Sequence, residues 1–378
     1  MSVWGGLVGQ EQAIETLATA VASPTAMTHA WLITGPPGSG RSVAARAFAA
    51  ALQDPADTAG EGHQVRTVLA GTHADVTVLS TDKPSFAIDE VRDWVLLAQR
   101  SPSQGRYRVL IVEDADRMLE RTSNVLLKAI EEPPERTVWI LCAPSPVDVL
   151  PTIRSRCRLV NLRVPPVQAV ADLLHTRDGV PPELALECAR AAQSHIGVAR
   201  RLALYPEERA YRRKVLHLAT GIRGVGDAVL AAQELVEDAT EQSKAATAER
   251  DGAERAALLR ALGVEEGARV PPALRAQVRA LEEDQKRRAK RALTDLLDRS
   301  MVDLLSFYRD VLVTQLQTGS ELVNTAEAEA VAEQARSTTP EQSLRRMAAV
   351  GLARDRLATN AAPLLTVEAL AVALRPQG

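Results

Sequence analysis

Residues 35–42 read Gly-Pro-Pro-Gly-Ser-Gly-Arg-Ser, and the chemistry available to that octet is phosphate binding. Glycines free successive backbone N–H groups to point inward at a β-phosphate, and the helix that follows presents its positive end. In the full motif a lysine reaches the γ-phosphate and the closing Ser or Thr holds Mg²⁺. Gly35, Pro36, Pro37, Gly38, Ser39, Gly40 and Ser42 keep the loop, but Arg41 stands where the ammonium belongs. A planar guanidinium is wider than an ammonium and does not replace it at a tight phosphate site. The octet describes an NTPase-derived pocket with impaired turnover.

Three further groups could act on the same chemistry. Glu113-Asp114-Ala115-Asp116 closes an apolar run. An acidic pair at a strand's carboxyl end gives one carboxylate to Mg²⁺ through water and uses the other to activate an attacking water. The usual order is Asp then Glu. Here it is inverted, so Glu113 takes the metal position and Asp114 falls one methylene short of the water. Arg156, within Ser155-Arg156-Cys157, has the type needed to stabilise charge on a neighbour's phosphoryl group, and Arg200, beside its rival Arg201, could report a γ-phosphate to a lid. Spacing alone makes Arg156 no more than a surface arginine, because 39 of the 45 basic residues are arginine; for Arg200 the nucleotide-sensing reading is the favoured one.

Other charged groups carry less. The run Lys-Arg-Arg-Ala-Lys-Arg at 286–291 could touch DNA phosphates. Five cations over about one and a half helical turns cannot share a face, and Glu282, Glu283 and Asp284 precede them, so the run reads as a solvated helix. The six histidines, His29, His63, His73, His175, His195 and His217, have no metal-ligand spacing and read as structural. The cysteines, Cys142, Cys157 and Cys188, form neither a CxxC nor a disulfide framework.

The elements that must position these residues follow from apolar periodicity. Trp31–Thr34, Asp75–Leu79, Arg108–Val112, Thr137–Cys142 and Arg158–Leu162 read as short buried strands. Helical patterns fall at 10–22, 42–52, 88–99 and 122–132, the last capped by Thr122 or Ser123 and stopped by Pro133-Pro134. Alternation of this kind predicts a parallel α/β sheet with its ligands at the carboxyl edge, where the phosphate loop directly follows the first strand. Val164-Pro165-Pro166 reads as a hinge into a small helical unit, and beyond about residue 207 no strand pattern survives. Residues 240–270, rich in Ala, Glu and Arg, read as a solvated helical excursion, and Pro271-Pro272 opens a long helix.

The chain's 378 residues exceed what one core holds, and the expected division is 1–163, 164–206 and 207–378, with a charged insertion around 240–300. A net charge of −3 and a pI near 6.1 argue against coating nucleic acid by bulk charge. With no basic-then-apolar leader and no run of about 18 apolar residues, the expectation is a cytoplasmic protein that uses no membrane.

Gly9-Gln10, His29-Ala30, the phosphate loop, Leu126-Leu-Lys-Ala-Ile-Glu-Glu-Pro-Pro134 and Ser155-Arg-Cys157 together resemble the AAA+ clamp-loader subunits of bacterial DNA polymerase III. The resemblance is strong over residues 5–205 and weaker in the remainder, where Asp303–Asp310 and Asn360–Pro363 look like family features. It implies a P-loop α/β domain, a helical lid and an all-α collar. The implied partners are motor and clamp-opening subunits in a heteropentameric ring, a sliding clamp, and primed DNA reached through the assembly at the replisome.

Within that family the chain looks most like the delta-prime branch, a stator that lends Arg156 in trans to a neighbour's ATP site. Arg41, the inverted Glu113-Asp114 pair, and Ala143-Pro144 where active members end the fourth strand with a polar residue all favour that choice. ATP or ADP with Mg²⁺ would bind weakly at residues 35–42 and Arg200, with little or no hydrolysis, which leaves the chain's own enzymatic status undecided. Members usually carry a four-cysteine zinc module, but residues 53–75 contain no cysteine, so no zinc is expected and Asp54–Val65 reads as a flexible remnant. The alternatives are an active motor subunit of the same loader, another ring ATPase such as a branch-migration helicase or a remodelling chaperone, and a scaffold whose Arg156 is idle.

Overall fold

Five strands form one wholly parallel sheet: β1 (Ala30–Thr34), β2 (Val76–Leu79), β3 (Arg108–Val112), β4 (Thr137–Ala143) and β5 (Arg158–Asn161). Their order across the sheet is β2-β3-β4-β1-β5. The computed structural model describes residues 2–81, 85–262, 264, 271, 274–359 and 361–375, apart from the side chain at 249. Pro272, Asn360 and residues 265–270, named above, lie outside the described residues.

The strands are apolar on both faces because both are covered, and their alternation sorts the core into two layers. Trp31, Ile33, Val109, Ile111, Val138 and Ile140 point to one core, packed by α1 (Glu11–Ala22), α2 (Arg41–Gln53) and α3 (His63–Leu69). Ala30, Leu32, Leu110, Val112, Trp139 and Leu141 point to the other, under α4 (Ile88–Ala98), α5 (Glu120–Glu131) and α6 (Pro151–Arg154). A one-residue shift in any strand would exchange its two faces, so register is strongly specified.

Two local expectations are corrected. Thr122 and Ser123 do not cap α5. The chain is already helical at Glu120, and the two buried hydroxyls donate back to the carbonyls of Leu119 and Met118. Asp54–Val65 is also more than a remnant. The Asp57 carboxylate accepts from the N–H groups of Gly60, Glu61 and Gly62 (2.9, 3.3 and 2.7 Å) and sets up α3.

The chain divides into two compact units, Met1–Leu204 and Tyr205–Gly378. The first ends in α7 (Val167–Asp178), α8 (Pro182–Ala191) and α9 (Ile196–Leu204), whose core holds Val170, Leu174, Ala185, Cys188, Ala199 and Leu202. Among its described residues the second unit has helices and connecting loops and no strand. It comprises α10 (Pro206–Gly221), α11 (Val225–Ala261), α12 (Arg275–Gln315), α13 (Ala328–Ser337), α14 (Pro340–Ala358) and α15 (Pro363–Leu374). Leu297, Met301, Leu304, Phe307, Tyr308 and Val311 put one stripe of α12 into its core. In the basic run, Arg287 pairs with Asp284, and Arg288 crosses to Asp251 (3.4 Å) and Glu254 (2.9 Å) of α11. No described helix is long and apolar enough to cross a membrane.

Candidate nucleotide site

The phosphate loop leaves the carboxyl end of β1, and Glu113 leaves the same edge one strand beyond β4. Gly38 and Gly40 have φ of +82° and +94°, a backbone that side chains avoid, and Gly40 opens α2 with no side-chain cap. A Cβ at Gly35 would lie 2.6 Å from Ser39 Oγ and 2.9 Å from Leu162 Cβ, so the loop is tightly seated. Ser39 is 2% exposed, and its Oγ has no hydrogen-bond partner among the described residues. Gln10, also buried, staples the site. Its Nε2 donates to the carbonyls of Arg163 (2.7 Å) and Ser39 (3.4 Å), and its Oε1 accepts from Arg163 N–H (3.0 Å).

Cations from the protein itself occupy the two key positions. The Arg41 guanidinium folds back and donates to the carbonyl of Gly35. Arg46, one turn along α2, holds Glu113 at 3.0 Å with side chains 38% and 21% exposed. Asp114 takes a left-handed backbone (φ +57°), with Arg117 Nε 3.7 Å from its carboxylate. Burial pushes the Asp116 carboxyl above its ordinary range, with the Asp114 charge adding to the shift. Burial likewise pushes the Cys142 thiol up to about 12, which keeps it neutral beside Glu113. Ala143 is buried at the end of β4, and the carbonyl of Pro144 accepts from Gly35 N–H (3.2 Å).

Within the same unit the turn before α9 closes on the loop. A Cβ on Gly38 would run into the His195 ring and lie 2.7 Å from its Cα, so the imidazole rests directly on that glycine. Arg200 points to Asp178 (3.0 Å), and against the opposing push of burial, Arg177 and Arg200 hold the Asp178 carboxyl below its usual value. Arg156 stands apart after α6. It is 39% exposed, its guanidinium pairs with Glu131 (2.5 Å), and Nη1 donates to Thr152 O (2.8 Å). Sequence reasoning missed Arg46, for which chain order gives no signal. His195, read as structural, packs its ring on the loop glycine.

The site fits a phosphate better than it fits Mg²⁺. The loop backbone is formed, but a metal at Glu113 would have to displace a guanidinium, and ATP would have to displace Arg41 from Gly35. Among the described residues no group of three or more His, Cys, Asp or Glu is placed to hold a metal.

The first unit therefore carries a parallel α/β module with a glycine-rich phosphate-type loop at the carboxyl edge of its sheet. Residues 9–166 match the family model described as DNA polymerase III, delta subunit. Over that stretch, which is less than half of its length, the chain is similar to subunits of DNA polymerase III. It is 37% identical over 162 residues to DNA polymerase III subunit delta′ of Pseudomonas aeruginosa, covering 41% of this chain and 48% of that one. It is 31% identical over 194 residues to the delta′ subunit of Escherichia coli, covering 50% and 58%. Against the gamma/tau subunit of Mycobacterium tuberculosis it is 34% identical over 173 residues, covering 44% and 30%. The matched stretch thus spans less than two thirds of each relative. Among solved structures, a DNA polymerase III gamma subunit-related protein of Thermotoga maritima shares 17% identity at TM-score 0.37, covering 91% of this chain and 99% of that one. A point mutant of RuvB from the same organism gives 17% and 0.39, covering 68% and 84%. Likeness that loose assigns nothing.

Proposed function

We propose that the chain is a stator of the delta-prime type, a clamp-loader subunit that takes part in ATP-dependent loading of a sliding clamp onto primed DNA. In this reading residues 1–163, 164–206 and 207–378 serve as P-loop domain, lid and collar, and the collar joins a ring of motor and clamp-opening subunits. The observation that carries it is the occupancy of the chain's own pocket by its own cations: Arg41 on Gly35 and Arg46 on Glu113. A site so filled holds ATP or ADP weakly and does not turn it over.

Arg156 is the group offered outward. Its pair with Glu131 is exposed on both sides, and such pairs contribute roughly 0–1 kcal/mol. Trans-acting arginines contribute about 10³–10⁵ in rate, which is several kcal/mol, so transfer to a neighbour's leaving γ-phosphate outweighs loss of the local pair. The test is ATP turnover by the loader assembled with motor and clamp-opening subunits, clamp and primed DNA. Arg156→Ala should suppress the turnover of the site it serves while leaving this chain's own melting unchanged. Turnover equal to wild type would leave only the idle-scaffold reading.

The similarity to gamma/tau subunits favours one second reading, an active motor. It predicts multiple-turnover ATPase by the purified chain, abolished when Glu113 becomes Ala.

A further inference from the structure

The helical unit holds a cluster of arginines that the proposed function does not use. Gln342, Arg345, Arg346 and Ala349 recur at i, i+3, i+4 and i+7, which puts them on one stripe of α14. Ala373 and Arg375 at the end of α15 face them across a cavity of about 130 Å³. The two alanines leave the space, and the three guanidinium groups surround it. None of the lining residues is acidic. Glu341, the carboxylate nearest Arg345 in the chain and held below its ordinary value mainly by a backbone hydrogen bond, does not line it.

Arg346 decides the character of this cavity. It is 6% exposed, and its Nη1 is buried with no hydrogen-bond partner among the described residues. Its guanidinium carbon lies 5.8 Å from the centre of the Tyr308 ring, a cation–π contact that supplies no oxygen acceptor for Nη1. A buried cationic donor without an acceptor is costly and is retained where something supplies the acceptor. Three positive charges around a small cavity match a dianion with several acceptor oxygens better than a single carboxylate. Arginine forks suit that geometry.

We propose that this cavity is a phosphate site, formed by Arg345, Arg346, Arg375 and Gln342, which takes a phosphate group either as the free dianion or at the end of a nucleic-acid strand. Arg346 supplies the preorganised buried donor, and Arg345 and Arg375 close over the exposed oxygens.

The experiment titrates inorganic phosphate into the full-length chain at constant ionic strength, by calorimetry, with chloride as the reference. A parallel arm uses a short DNA duplex with and without a 5′-phosphate. Saturable binding of phosphate that weakens at least tenfold in both Arg345→Ala/Arg375→Ala and Arg346→Lys, but not in Arg92→Ala, an exposed arginine outside both the cavity and the phosphate loop, supports the site. Arg345 is exposed and Arg375 half-buried, so the double variant keeps the fold even where a change at Arg346 disturbs it. A gain in duplex affinity from the 5′-phosphate, lost in the double variant, identifies the strand end as the source; equal affinities identify the free anion. No saturable binding above chloride, or binding that the double variant leaves intact, overturns the proposal.

Discussion

Replacing Asp75 with Asn should cost the first unit about 2.4–4 kcal/mol, from a single carboxylate that never touches the nucleotide pocket. Asp75 is wholly buried immediately before β2. It accepts from Ser103 N–H (2.8 Å) and Oγ (3.1 Å), Gln104 N–H (2.7 Å) and Gly105 N–H (2.7 Å), and pairs with Arg108 at 3.0 Å. Burial alone would raise its pKa, but the backbone donors at Gly105, Gln104 and Ser103 bring it down to about 2. The difference between 3.8 and about 2, at roughly 1.36 kcal/mol per pH unit, gives about 2.4 kcal/mol as the part that depends on the charge. Breaking a buried ion pair costs about 3–5 kcal/mol. The lower half of that range applies, because Arg108 also donates to the carbonyls of Ala74, Arg100 and Ser101.

The sign of the pH dependence follows from the depressed pKa. The contribution is complete well above pH 3.8 and is lost as pH falls toward 2. All four tryptophans, Trp4, Trp31, Trp94 and Trp139, lie in the first unit, so fluorescence during urea unfolding of the full chain reads that unit alone. With a urea slope of about 1–3 kcal/mol/M the midpoint should fall by about 0.8–4 M at pH 7. The gap between wild type and variant should narrow between pH 5 and 2.5. A shift below about 0.3 M, or parallel pH curves, would refute the reasoning.

Three other outcomes are expected. Gly38→Ala combines a left-handed backbone (φ +82°) with a 2.7 Å approach to His195 Cα, so it should destabilise the first unit by at least about 2 kcal/mol in the same fluorescence assay. Arg41→Lys alone should not restore ATP turnover in a phosphate-release assay, because Arg46 still holds Glu113 and Asp114 remains the shorter acid. Tyr308→Phe should be neutral or stabilising by about 1 kcal/mol in thermal unfolding followed by circular dichroism, since the buried Tyr308 Oη has no hydrogen-bond partner among the described residues to lose.

Much of the first unit was legible because its signals are local. Strands β1 to β5 each announce themselves as a short run with apolar residues stopped by Gly, Pro, Ser or charge, and the observed bounds match the predicted ones at six of ten ends and differ by one residue at the other four. The seven-residue α3 was not legible, because two turns in a polar loop leave too little periodicity to read. The start of α5 was misplaced because Thr122 and Ser123 have the side chains of caps, while burial against the sheet drew the helix two residues further back.

The amino-acid order alone determined the chemical cast: a glycine-freed phosphate loop at the end of one strand, an inverted acidic pair at the end of another, and Arg156 just ahead of the last. These are contiguous patterns, and local backbone preference places them. Which charge neutralises which was decided only by the tertiary structure. Arg46 and Glu113 are 67 residues apart and meet because α2 packs over the sheet with β4 between β1 and β3. His195 reaches Gly38 only because α7 to α9 fold back on the loop. Electrostatic pairing depends on distances of a few ångströms that chain order does not carry, so the pocket's occupation by its own arginines emerges only once the chain has folded.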